Sequence, residues 1–291
     1  MVAKSNPTIR RRRLGAELRR LRVASGLKST EVAERLMVSQ PKISHMENGN
    51  RAISPRDVRD LCAIYGVTDQ RTVDSLMEMA KESGQRDWWH PYGDLSNSVY
   101  LGLETDADVI HVYGPTLIPD LLQTPAYASA VMSETIPRLT DAQIATRLKL
   151  LLRRQHRIYD PAHPLTLWAV LDESVLHRVV DSPDVMREQL EHLNALGAEP
   201  HITVQILPYA GGVTPGLSGQ FSILEVADGS PAGVVYLERF VSDLHLDKPS
   251  DVREFGALYD HLQARALDPL DSRALVTDVT KALIDAPASW S

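Results

Sequence analysis

At 291 residues, with 43% hydrophobic and 24% charged side chains, the chain is long enough for two domains with separate cores and has the composition of a globular protein, not of a disordered or fibrous one. One cysteine, Cys62, excludes an internal disulfide and any cysteine-rich zinc site, and the lack of a long apolar run sets the expectation of a cytoplasmic protein with no membrane partner. The net charge of −7 is unevenly spread: residues 1–60 carry 14 Lys and Arg against 6 Asp and Glu, and the remainder 17 against 32, so a basic head suited to a polyanion precedes an acidic body.

Residues 1–8 read as a loose basic tail. From Ile9 to about Ser25, Leu14, Leu18, Leu21 and Val23 make one apolar helix face, Arg10 to Arg13, Arg19, Arg20 and Arg22 fill the other, and Gly26 supplies a stop. On an isolated helix such an arginine run is a solvated face; beside a nucleic-acid-binding element it lies where phosphates are met. A second helix is predicted from Ser29 or Thr30, either able to cap it, with Glu31 and Glu34 near the positive end of its dipole. Met37-Val38-Ser39 is too short for anything but a tight turn. A third helix opens at Ser39 as cap, holds Pro41 in its first turn where a missing N–H costs little, and closes at Asn48-Gly49, where glycine can turn left-handed. Ser54-Pro55 starts a fourth, with Val58, Leu61, Cys62, Ile64 and Tyr65 as its buried stripe, and a fifth runs from about Asp69 to Ser83. Cys62, set among apolar neighbours, reads as a buried structural thiol.

Val32, Ala33, Leu36, Val38, Ile43 and Met46 recur at three- and four-residue spacings on both sides of the break, the pattern of two short helices sharing one core. Two helices joined by so short a turn form a helix-turn-helix, whose second helix can lie in the major groove of DNA. Side-chain direction then assigns Gln40, Pro41, Ser44 and His45 to base edges and Ile43 and Met46 to the core. Gln40 can make a two-pronged bond to adenine and His45 can donate to a guanine acceptor. Lys42, Ser29, Thr30, Arg51 and the arginines of the first helix, Arg12 and Arg13 among them, are the phosphate candidates, which position without specifying. The duller alternative makes Ser44 and His45 ordinary solvent-facing residues.

The run Val38-Ser39-Gln40-Pro41-Lys42-Ile43-Ser44-His45-Met46-Glu47-Asn48-Gly49 resembles the third-helix signature of the Xre/Cro-type regulators, V-S-x-x-x-I-S-x-[IL]-E-N-G, with Ile43, Glu47, Asn48 and Gly49 at matching spacings. It departs at Met37, where that family commonly has glycine. The turn residue there often needs a positive φ, so Met37 is either strained or part of a differently built turn.

The polar stretch Glu82-Ser83-Gly84-Gln85 sets a boundary near residue 84: a five-helix all-α domain over 1–84 and a larger α+β domain over 85–291. Trp88-Trp89-His90-Pro91-Tyr92 follows directly, a stacking platform by one reading and a structural anchor by the other, which is preferred. Strands are predicted at Asp108 to Tyr113, Leu165 to Leu171, His201 to Pro208, Gln220 to Val226 and Val234 to Arg239, and the clean alternation from His201 implies one buried face. Helices intervene: one begins at Thr124-Pro125; one has a Thr140/Gln143 capping box and Ile144, Leu148, Leu151 and Leu152 turned inward; one runs from Ser182-Pro183 to Gly197; two more follow Pro249-Ser250 and Asp268-Pro269. The tail from Ala286 should fray. Gly102-Leu103-Glu104, Leu121 to Ala128, Arg153-Arg154-Gln155, Leu171-Asp172-Glu173, Val204 to Pro208, Gly216 to Phe221 and Val235 to Glu238 resemble recurrent blocks of the C-terminal domain of a class of actinobacterial Xre regulators, the WhiJ-like type. That resemblance implies a developmental or toxin–antitoxin-like regulator encoded beside a small partner protein.

No strong chemical motif stands out in the second domain. Gly211 to Gly219 lacks the lysine of a P-loop and the spacing of a nucleophile elbow, and reads as a long loop, with a ligand lid as the alternative. Glu173 and His177, four apart, would share a helix face as an acid/base or metal pair, or more simply as surface partners. No metal-ligand spacing, cofactor motif or catalytic set is recognisable. Arg147, Lys149, Arg153, Arg154 and Arg157 form a basic helix in an acidic domain, explained by internal pairing or by an acidic partner. The expectation is a DNA-binding transcriptional regulator, a repressor or autoregulator and not an enzyme, binding operator DNA as a homodimer. The alternatives are an antitoxin-type protein that neutralises a small partner, or a small-molecule sensor or enzyme with a pocket near Glu173, His177 and the 211–219 loop.

Overall fold

Five helices wrap one apolar core in the N-terminal part of the chain: α1 (Ile9–Ala24), α2 (Ser29–Arg35), α3 (Gln40–Glu47), α4 (Pro55–Tyr65) and α5 (Gln70–Ser83). The computed structural model describes residues 9–83, 88–92, 98–160, 164–225, 233–238 and 243–285. The tail at 1–8, the linker residues Gly84-Gln85 and the tail from Ala286 lie outside them. Leu14, Leu18, Val32, Ile43, Met46, Val58, Leu61 and Leu76 form the core, and Cys62 is buried beside them. Local signals set most helix ends. At Gly26, φ is 74°, and the Gly26 and Leu27 amides bond back to Val23 and Arg22 carbonyls, the left-handed stop expected of glycine. Ser54 Oγ accepts from the Asp57 amide at 3.0 Å and starts α4.

Two caps differ from expectation. The cap position of α2 is Lys28, whose amide donates to the Glu31 carboxylate at 2.7 Å, so neither Ser29 nor Thr30 caps the helix. The acid one turn in reaches back to the amide of the cap residue itself, which is the acid's half of a capping box. Ser39 does precede α3, yet its side chain makes no capping bond.

The arginines of α1 do not share one solvated face, because α1 packs against α3, α4, α5 and a further helix, α6 (Ser98–Asp106). Arg11 is buried and donates from Nε to the Ser83 carbonyl at 2.9 Å. Arg12 and Arg13 are half-buried, while Arg19 and Arg20 are exposed. Beside α6, Trp88 Nε1 donates to Thr105 Oγ1 at 3.0 Å and Trp89 is buried, so the aromatic cluster serves as an anchor. The chain divides into two compact units between Asp106 and Ala107, later than residue 84, because α6 and the tryptophans count with the first unit.

In the second unit, β1 (Val109–Gly114), α7 (Pro125–Ser133), α8 (Asp141–Gln155), β2 (Thr166–Asp172), α9 (Ser174–His177), α10 (Pro183–Leu196), β3 (Ile202–Leu207), β4 (Phe221–Glu225), β5 (Val234–Leu237), β6 (Leu244–Leu246), α11 (Pro249–Arg265) and α12 (Pro269–Asp285) follow in order. Among the described residues the strands form one sheet in the order β3-β2-β1-β4-β5-β6. The β1, β2 and β3 pairs are parallel, and β4, β5 and β6 add antiparallel neighbours. The five predicted strands are present, and β6, only three residues long, is additional.

One sheet face holds Tyr113, Val170, Leu207, Phe221, Ile223 and Val235, packed under Tyr259 and Leu262 of α11. The alternate residues Ile110, Val112, Ala169, Leu171, Val204 and Ile206 are buried on the other. β3 is therefore buried on both faces, against the single buried face read from its alternation, as strands in a parallel sheet commonly are. Gln205 is tolerated inside because it accepts from Trp168 Nε1 at 2.8 Å and donates to the Leu267 carbonyl at 2.8 Å. At the β3 edge the Ile206 amide bonds to Ser272 Oγ, so the start of α12 covers an otherwise open strand.

Capping at Thr124, Thr140/Gln143, Ser182 and Asp268 is as expected. α8, however, is rotated relative to the predicted face. Leu150, Leu151 and Arg154 are buried, Ile144 and Leu148 are half-exposed, and Leu152 is 46% exposed. Arg154 takes a buried place on the helix and pairs with the Asp120 carboxylate at 2.9 Å.

Candidate nucleic-acid interface

The turn between α2 and α3 is closed by two backbone bonds, Met37 N–H to the Glu34 carbonyl at 3.1 Å and Val38 N–H to the Ala33 carbonyl at 2.9 Å. This pattern demands a left-handed residue, and Met37 has φ 53°. The turn is thus the ordinary one with the wrong residue in it. Met37 is 91% exposed, so its side chain gains nothing from burial. Met37→Gly should relieve roughly 1–2 kcal/mol of left-handed strain and give back about 0.5–1 kcal/mol in unfolded-chain entropy. The expected outcome is an unfolding free energy raised by a net ~0.5–1 kcal/mol, read as a higher urea midpoint; a lowered midpoint would show that Met37 is not strained.

α3 presents its residues as their spacing requires. Ile43 and Met46 are each 1% exposed and lie in the core, whereas Gln40, Pro41 and His45 are exposed and Ser44 and Lys42 half-exposed. The first turn of a helix with its back in the core and its front uncovered is the part that can enter a groove. Gln40 Nε2 reaches Ser29 Oγ at 3.3 Å, which brings the start of α2 beside the start of α3 and places Ser29 and Thr30 next to the reading face. Lys42 and Arg51 line a groove of about 520 Å³ with Ile53, Ser54, Asp57 and Lys81, at the start of α4. Arg12 lies against Gly49, at the far end of α3.

Two features hold α3 in place in ways the spacing of residues does not reveal. The first is Arg22, expected as an arginine of the first helix to meet phosphate, which instead turns inward to Glu47. Its Nε and one terminal nitrogen donate to the two carboxylate oxygens of Glu47 at 2.6 and 2.9 Å, and the side chains are 13% and 8% exposed. A further nitrogen donates to the Leu27 carbonyl. Hydrogen bonding to Glu47 raises the Arg22 pKa, and burial, with the Glu47 charge beside it, raises that of Tyr65. The second is Gly15, midway along α1. A Cβ there would fall 2.6 Å from both the Met46 and Glu47 carbonyl oxygens, so only glycine lets the two helices approach so closely. An isolated glycine within a helical pattern is the one signal that could have pointed to it.

In the second unit the carboxyl ends of β2 and β3 meet. Glu173 Oε2 accepts from the Tyr209 amide at 2.7 Å, Glu173 Oε1 lies 3.4 Å from His177 Nε2, and the His177 and Tyr209 rings stack with centroids 5.8 Å apart. Burial, with Asp172 and Glu173 nearby, raises the Tyr209 pKa. The 211–219 loop begins here, tied by Arg265 to the Gly211 and Val213 carbonyls, and Gly216 packs on the Tyr113 ring. Of the basic residues on and after α8, Arg154 pairs with Asp120 and Arg157 donates to the Ala107 carbonyl, whereas Arg147 and Lys149 are exposed.

The N-terminal fold and the exposed first turn of α3 define a helix-turn-helix protein, a DNA-binding regulator by class. Residues 13–76 match the family described as a helix-turn-helix domain. Residues 98–278, more than half of the chain, match the domain of unknown function DUF5753, and the chain belongs to that family. No curated protein and no solved structure matches it. Among the described residues no helix is long and apolar enough to cross a membrane.

Proposed function

We propose that the chain is a sequence-specific transcriptional regulator of the WhiJ-like kind, a cytoplasmic repressor or autoregulator that binds an operator as a homodimer and is controlled through its C-terminal domain. The observation that carries this reading is the division of α3 into a buried back, Ile43 and Met46, and an uncovered front, Gln40, Pro41 and His45. Base contacts are assigned to Gln40, Pro41, Ser44 and His45. Phosphate contacts are assigned to Ser29, Thr30, Lys42 and Arg51, with Arg12 and Arg13 extending the cationic surface. The C-terminal domain is read as a control element and not as an enzyme, with a small protein encoded nearby as one source of control.

The test is binding-site selection with the full chain. Gln40→Ala and His45→Ala should each relax preference at one base pair by about 1–3 kcal/mol. Lys42→Ala should weaken binding to all sequences and flatten the salt dependence. Selected sites unchanged in both the Gln40 and His45 variants would remove α3 from the groove.

A second reading, a small-molecule sensor, is supported by the meeting of Glu173, His177 and Tyr209 at the ends of parallel strands, where open α/β sheets bind ligands.

A further inference from the structure

α7 and α8 form a helical pair whose outer surfaces have no covering among the described residues. α7 contains no charged side chain; Tyr127 and Ala128 are buried, Pro125 is exposed and its other six residues are half-buried. A helix at the surface of a soluble domain ordinarily turns a charged face to water, and an uncharged, half-exposed helix is suited to being covered. The turn that follows leaves Ile136 79% exposed. On α8 the exposed stripe runs through Ala142, Ala145, Lys149 and Leu152, with Asp141 at its start. Small residues at its centre permit a second helix to come close.

The charges on α8 choose the occupant. The helix is acidic at its first turn, at Asp141, and basic in its second half, at Arg147 and Lys149. Two α8 helices laid antiparallel about a twofold axis at Ala145 set Asp141 of each copy opposite Lys149 of the other and Leu148 opposite Ala142. Both helix dipoles are then opposed favourably. A parallel arrangement sets like charges side by side. Operator half-sites also require a twofold pair, which the helix-turn-helix domain alone does not explain.

Resting on the reading of a dimeric DNA-binding protein, we propose that two copies of this chain pair through α7 and α8, with the α8 helices antiparallel and crossing at Ala145. The contact joins two C-terminal units.

The experiment uses the full chain without DNA. The wild-type chain is expected to sediment as a dimer. Ala145→Cys should give a disulfide-linked dimer under mild oxidation, because helices about 8 Å apart bring facing Cα atoms within the ~6 Å span of a disulfide. The wild-type chain should give none, since Cys62 is buried. Lys149→Glu, an exposed change that leaves the fold intact, should weaken the dimer by about tenfold, and Asp141→Lys in the same chain should restore it. A monomeric wild-type chain overturns the proposal, as does a dimer that Ala145→Cys does not link and Lys149→Glu does not weaken. A monomer that recruits a different protein onto this face also overturns it. Operator binding is measured separately: a chain that dimerises as described but selects no sequence sinks the DNA-binding reading alone, and a monomer that binds one half-site sinks the dimer alone.

Discussion

Arg22→Met is expected to destabilise the helix-turn-helix domain by about 3–5 kcal/mol, whereas Arg22→Met combined with Glu47→Leu should cost far less. The reason lies in what each change leaves behind. The guanidinium and carboxylate are both largely buried and meet through two hydrogen bonds. Removing one leaves the other charged in a place with little water, close to the Tyr65 hydroxyl, which is itself buried with no hydrogen-bond partner among the described residues. Removing both replaces an expensive ion pair with apolar contact. Against the 5–15 kcal/mol that stabilises a typical domain, the single change takes a large share. Native-state hydrogen exchange of α1 and α3 amides is the measurement, with exchange through the opened domain accelerated by about 10²–10⁴-fold for the single variant. Equal losses in the single and double variants would show that the pair is a packing element and not an ionic one.

Gly15→Ala is the second large effect. Alanine is favoured over glycine in a helix by about 1 kcal/mol, so propensity alone predicts stabilisation. The sign should reverse, because the new Cβ lands 2.6 Å from two backbone oxygens of α3 that cannot rotate away. Overpacking of this kind costs roughly 1–3 kcal/mol or more, and its relief requires α1 and α3 to separate. The expected result is a net loss of up to about 2 kcal/mol together with weakened operator binding under conditions where the domain is still folded, since α3 is displaced from its seat. Ala16→Gly, at an exposed neighbour, should lose about 1 kcal/mol of propensity and leave operator binding unchanged. If Gly15→Ala raised the urea midpoint, the close approach of the two helices would be disproved.

Both predictions rest on residues whose roles sequence reading assigned otherwise or passed over. Arg22 belongs by spacing to the basic face of α1, and nothing local marks it as the partner of a glutamate 25 positions later. Gly15 interrupts a helical pattern without revealing what comes near it. Met37 is the opposite case: the missing glycine in the turn raised the question of a positive φ, and the backbone has one. On α8, periodicity turned Leu152 inward and passed over Arg154, because hydrophobic pattern alone does not register that an arginine can be buried when Asp120 lies within reach.

What the sequence determined by itself is everything whose cause lies within about one helical turn. The five N-terminal helices, the stops at Gly26 and Gly49, the caps at Ser54, Thr124, Thr140 and Ser182, the five longer strands, and the split of α3 into Ile43 and Met46 behind and Gln40 and His45 in front all follow from propensity, capping chemistry and periodicity. Tertiary structure alone decided the parallel pairing of β1, β2 and β3, the burial of β3 on both faces, the cover that Ser272 gives its edge, the meeting of Glu173, His177 and Tyr209, and the seating of α3 on Gly15 and Arg22. Each of these depends on which distant segment comes to lie alongside. That choice is made by the packing of whole surfaces, for which no single residue or short spacing carries the signal.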